Sequence, residues 1–159
     1  MPLLNFQHTF ALPVLAGLEQ RRREERYAGR EPTPIAWREE AEQIAATFAH
    51  PKRQTIRAYR KAGNPKPGDT LYLYTGARTK ACRKLGEAVC LEAIPMHITH
   101  KGFGFEGGHH LGHFIKLYGH GASLMKGFAR ADGFSDWPAM RDWFEKTHGL
   151  PFNGLLIRW

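Results

Sequence analysis

Between residues 52 and 84 the chain carries Lys52, Arg53, Arg57, Arg60, Lys61, Lys66, Arg78, Lys80, Arg83 and Lys84 against one acid, Asp69. This segment alone accounts for the formal net charge of +8, so the basic character is local and not spread along the chain. It opens with Lys52-Arg53-Gln54-Thr55-Ile56-Arg57, in which cations and a hydroxyl alternate with groups able to face a core. Extended backbone sends Lys52 and Gln54 to one side and Arg53, Thr55 and Arg57 to the other. A twist or bulge brings Lys52 beside Thr55. Clustered Lys and Arg reward a polyanionic partner through counterion release, whereas a basic surface that serves only solubility has the same composition.

The 159 residues, 42% hydrophobic and 24% charged, suffice for one compact domain with a real core and are short for two. No charged run followed by a long apolar stretch opens residues 1 to 13, and nothing later approaches the roughly 20 apolar residues of a membrane span. A soluble, cytoplasmic protein without a membrane partner is expected. Cys82 and Cys90 have no CxxC partner, so neither a disulfide framework nor a zinc knuckle is signalled.

Residues 3 to 10 alternate as an opening strand, and Pro13 to Gly17 reads as one helical turn stopped by Gly17. Residues 18 to 31 are dense in Arg and Glu, which suits a solvated helix held by pairs three or four residues apart. Thr33-Pro34 then starts a second helix whose stripe is Trp37, Ala41, Ile44, Ala45 and Phe48. Together, residues 18 to 48 read as a helical insertion near the N-terminus.

Gly63 to Asp69 is a turn leading into the strand Thr70 to Thr75, which Gly76 ends. A basic loop over residues 77 to 84 precedes one long strand from Leu85 to Ile98. Residues 99 to 112, rich in Gly and His, read as a loop, and His113 to Tyr118 as a returning strand. Ser135 is the expected N-cap of a helix carrying Trp137, Met140 and Phe144 on one face, stopped by Gly149. A final strand occupies Leu150 to Trp159.

Four stretches taken in order resemble the ASCH family of the PUA-like superfamily. They are Lys52 to Arg57, the turn Lys66-Pro67-Gly68-Asp69, Tyr74-Thr75-Gly76-Ala77-Arg78-Thr79-Lys80, and Ala131-Asp132-Gly133-Phe134. The resemblance covers residues 52 to 98 and 128 to 159 well, and Phe6 to Gly17 loosely. It implies a single α+β domain: a small twisted PUA-like β-barrel flanked by helices, with a cleft lined by the Lys-x-x-Thr-x-Arg strand. It also implies RNA-related work. Some small bacterial members look like amidohydrolases that remove the acetyl group of N4-acetylcytidine with a lysine, a threonine and an acid. Carried over, these fall on Lys52, Thr55 and Asp132, an aspartate where the amidohydrolases have a glutamate.

Acyl transfer needs a nucleophile, a base and a place for developing negative charge. Thr55 supplies a hydroxyl if a neighbouring amine takes its proton, and Lys52 suits that task once burial or nearby cations depress its pKa. Arg57 would steady the oxyanion, grip a phosphate, or pair structurally with Asp69 or Asp132. Two functions follow. The first is a binding module taking RNA or a nucleotide in a basic cleft of Arg53, Arg57, Arg78, Lys80, Arg83 and Lys84. The second is an amidohydrolase on an acylated nucleoside, or a metal-independent ribonuclease. No cofactor is expected.

His109-His110-x-x-His113 has the spacing of a metal cluster but no carboxylate partner, and is read as exposed or RNA-contacting. Tyr72, Tyr74 and Phe103 are candidates for base stacking or for the barrel wall. Cys82, among Arg78, Lys80, Arg83 and Lys84, lacks any arrangement that would make it a nucleophile.

Overall fold

The computed structural model describes residues 2–27, 51–61 and 63–159. Strand β1 (Leu3–Phe6), one 3-10 turn (His8–Phe10) and helix α1 (Ala11–Tyr27) come first. Strands β2 (Gln54–Arg57), β3 (Thr70–Thr75), β4 (Arg83–Val89), β5 (Glu92–Ile98) and β6 (Phe103–Phe105) follow. Then come helices α2 (His109–Tyr118), α3 (Gly121–Ala131) and α4 (Trp137–His148), and last β7 (Phe152–Arg158). The class is α+β. The described strands form two sheets, of order β1-β3-β4 and β2-β7-β5-β6, and no closed barrel is found among them. β1 runs parallel to β3, and the remaining pairs are antiparallel. Among the described residues no helix is long and apolar enough to cross a membrane.

β7 joins the two halves. Its run Leu155-Leu156-Ile157 is buried on both faces, as a strand covered from both sides requires. Leu156 packs with Ile56, Ile94, Met96, Phe128 and Phe144, a core shared by the four-stranded sheet and the last three helices. Leu155 and Ile157 face the other way, onto Leu4, Val14, Leu71, Leu73 and Trp159, a core closed by α1 and the three-stranded sheet. Phe10 packs against both.

Several elements differ from the sequence reading. Gly17 does not stop a helix, because α1 runs through it to Tyr27. The glycine serves a close approach instead, since a Cβ there would lie 2.1 Å from the Lys52 carbonyl oxygen. The helical segment of residues 18 to 27 is thus continuous with the turn before it, and the expected Trp37 helix lies outside the described residues.

Residues 85 to 98 are two strands in different sheets. The chain changes partners at Cys90, whose N–H donates to the Asp69 carbonyl, while the Leu91 N–H donates to the carbonyl of Arg158 on β7. Alternation persists on both sides of that crossing, so the pattern does not register it. The 99 to 112 stretch holds β6 and the start of α2 rather than a plain loop, and residues 113 to 118 are helical, not extended. Phe114 and Tyr118, four apart, face the core there, and a short apolar run fits either period. The cap of α4 is Asp136 and not Ser135; its carboxylate accepts from the Ala139 N–H at 2.9 Å.

Gly17→Ala is expected to destabilise the protein by about 2 kcal/mol, because the carbonyl it meets is backbone and cannot swing aside. That outweighs alanine's roughly 1 kcal/mol advantage in helix propensity. Urea unfolding checks the sign, and a stabilised variant would contradict the contact.

Candidate functional site

The motif that begins at Lys52 is pinned on three sides by backbone hydrogen bonds. The Lys52 N–H donates to the Pro13 carbonyl in the first turn of α1 at 2.7 Å, and the Arg53 N–H donates to the Ala131 carbonyl at the end of α3 at 3.1 Å. The Arg53 carbonyl in turn accepts from the Trp159 N–H at 3.1 Å. Lys52 lies before the regular strand, free of strict alternation, so its side chain shares a wall with Thr55 and Arg57. Gln54 turns to the opposite face, where its amide donates to the Phe128 carbonyl at 3.2 Å.

Lys52 is 2% exposed and Asp132 3%. The Lys52 Nζ donates to Asp132 Oδ1 at 2.7 Å and also to the Asp132 main-chain carbonyl, and it stands 4.8 Å from the centre of the Phe10 ring. Asp132 caps the C-terminus of α3, and Gly133 follows at φ 89°. A Cβ on Gly133 would lie 3.2 Å from both the Lys52 Cδ and the Phe10 ring, so the glycine answers both the backbone and the space.

Burial dominates the titration of the pair. It pulls the Lys52 ammonium from 10.5 down to about 8; the neighbouring carboxylate opposes that shift and Arg57 adds to it. Burial likewise raises the Asp132 carboxyl above its ordinary value, against the attraction of Lys52. The amine therefore becomes available in weakly alkaline solution, which an exposed lysine would not allow.

This pair closes one side of a cavity of about 370 Å³. Thr55, 4% exposed, and Arg57 continue the wall from β2; Phe6, Phe10, Phe134 and Trp143 supply aromatic surface; Asn5, Thr79, Thr147 and His148 add polar groups. The half-buried Arg57 guanidinium lies 4.9 Å over the Phe6 ring, and its buried Nε has no hydrogen-bond partner. His148 is exposed, and burial, then the Arg57 charge, holds its imidazole below the ordinary value. Mostly apolar walls with a few convergent polar groups, one of them strongly perturbed, are the mark of a small-molecule site.

The structure thus brings Lys52, Thr55, Arg57 and Asp132 to one cavity. The other cations named from sequence do not line it. Arg53 grips Glu24 of α1 with two nitrogens, at 2.6 and 2.9 Å, and Lys84 pairs with Glu87. Arg78, Lys80 and Arg83 are exposed on the β3–β4 hairpin, which contributes Gly76, Ala77 and Thr79 to the wall instead. Of the stacking candidates, Phe103 is packed in the core, 3.9 Å from the Phe128 ring centre, and neither Tyr72 nor Tyr74 lines the cavity. His113 stands 3.2 Å from the Arg158 guanidinium, and among the described residues no three His, Cys, Asp or Glu side chains are grouped to hold a metal ion.

Phe10, Trp143 and His148 were not legible as site residues. Of these, Trp143 alone carries a signal, since it follows Met140 by three residues on α4. No protein-family model, curated protein or solved structure matches this chain.

Lys52→Met is expected to cost about 3–5 kcal/mol at neutral pH, because it leaves Asp132 buried without its partner. Lys52→Met with Asp132→Asn removes both charges and recovers part of the loss. Chemical denaturation of the two single variants and the double variant measures this coupling, and additive losses would contradict it.

Proposed function

We propose that the cavity is the active site of an amidohydrolase that deacylates a nucleoside of the N4-acetylcytidine type. The observation that carries this reading is a buried lysine, poised near pH 8 and locked to an acid, on the same cavity wall as a threonine hydroxyl. The order of the four ASCH-like stretches supports it. In that assignment the two sheets correspond to the halves of a small PUA-like barrel.

In the first step the free Lys52 amine takes the Thr55 proton while Oγ attacks the acyl carbonyl. The resulting ammonium faces the oxyanion and then returns the proton to the departing exocyclic nitrogen as the carbon–nitrogen bond breaks. Water, deprotonated by the same amine, attacks the threonine ester; the acyl–oxygen bond breaks, the Lys52 ammonium returns the proton to the Thr55 Oγ, and the acid is released. Asp132 orients Lys52 throughout. Phe10, Phe134 and Trp143 offer aromatic faces for the base.

A second reading, RNA or nucleotide binding, is favoured by Arg78, Lys80 and Arg83, which stand exposed on the hairpin that forms part of the rim. Filter binding to single-stranded RNA would then weaken steeply with salt and with Lys80→Ala or Arg83→Ala.

Incubation with N4-acetylcytidine, followed by chromatography for cytidine, tests the enzyme. Thr55→Val and Lys52→Arg should each lower turnover by about 100-fold or more. A folded variant that keeps wild-type turnover would overturn the assignment. Because only the deprotonated amine acts as base, kcat/KM should rise as pH increases through about 8 and level off above it. A rate that falls over that interval would contradict the role of Lys52.

A further inference from the structure

We propose that the Arg57 end of the cavity is a phosphate-binding subsite, so that the molecule it takes is a nucleoside monophosphate rather than a free nucleoside. The base half of this statement rests on the reading above; the phosphate half rests on Arg57 alone.

Among the described lining residues the lysine and arginine side chains are Lys52 and Arg57, and the one acid is Asp132. Asp132 is already committed to Lys52 at 2.7 Å. Arg57 has no carboxylate within 4.0 Å among the described residues, and its Nε is buried without an acceptor. The half-buried Arg57 side chain lines the cavity with its guanidinium on the Phe6 face and no carboxylate beside it; the Nε is shielded from solvent, so it is the remainder of the guanidinium whose acceptors the cavity's contents must supply.

Its surroundings sharpen the demand. Burial acts most on Arg57; of the nearby charges, Asp132 attracts it and Arg60 repels it, and Arg57 and Lys52 repel each other. Arg60 is held by the Leu3 carbonyl, so it adds positive field and no counter-charge. His148, at the rim on α4, has its imidazole held below the ordinary value by burial and then by the Arg57 charge, and an anion between the two side chains would offset the second of these. The Asn5 Oδ1 accepts from the Ala77 N–H at 2.9 Å, which leaves its amide nitrogen as a further donor on the same wall. A planar guanidinium beside an amide donor fits the tetrahedral oxygens of a phosphate.

The lining argues for a free nucleotide over a strand. Only Arg57 is left to meet a phosphate, whereas a strand needs a run of cations, and Arg78, Lys80 and Arg83 stand outside the cavity.

Isothermal titration of the full chain with inorganic phosphate, cytidine, cytidine 5′-monophosphate and a short single-stranded RNA with hydroxyl ends tests the subsite. The monophosphate should bind about tenfold or more tightly than cytidine, and inorganic phosphate should bind alone and compete with it. Arg57→Gln should abolish phosphate binding and level the monophosphate with cytidine, with Arg57→Lys falling between. Equal binding of monophosphate and cytidine by the wild-type chain, or a preference that survives Arg57→Gln, overturns the proposal. If Arg57→Gln does not fold, the wild-type comparison decides. Phosphate binding through Arg57 without any binding of cytidine would keep the subsite and remove the nucleoside reading. Tighter binding of the RNA than of the monophosphate would remove the free nucleotide.

Discussion

An ammonium and a carboxylate taken out of water must find each other or cost several kcal/mol apiece, and Lys52 and Asp132 lie 80 residues apart in the chain. Their contact therefore depends on the elements that deliver them. The first turn of α1, the end of α3 and the C-terminal strand all donate or accept at the Lys52-Arg53 backbone. Apolar groups in place of the pair would fill the same space at lower electrostatic cost, so the pair is not what the packing of this region requires.

Electrostatics also separates three populations of cations that look alike in sequence. Lys52 and Arg57 are withdrawn from solvent and shifted by burial, whereas Arg78, Lys80 and Arg83 remain at the surface. A third group is structural. Arg53 holds α1 to the motif through Glu24, and Arg158 bonds Glu92 across β7 and β5. A basic run read along the chain merges these roles; only burial and partners divide them.

The α+β class and the strand Thr70 to Thr75 were legible because alternation and turn residues bound that strand on both sides, and the final strand, read over Leu150 to Trp159, because an apolar run follows the Gly149 stop. The spacing of Lys52 and Thr55 suggested proximity once a twist was allowed, and the resemblance added Asp132. What was missed has physical causes. Phe114 sits in a run short enough to fit either period, the crossing at Cys90 leaves alternation intact, and Gly17 was read as a stop because sequence cannot see the Lys52 carbonyl above it. Phe10 and Trp143 reach the cavity from opposite ends of the chain, and an aromatic residue carries no mark that separates wall from core.

The alternation of Leu155, Leu156 and Ile157 has a mechanical consequence. Neighbouring positions of one strand are embedded in different apolar clusters, so loosening either cluster strips cover from the backbone that supports the other. Two halves of unequal architecture are thereby tied through one strand, so a cavity-creating substitution in either is expected to be felt by both.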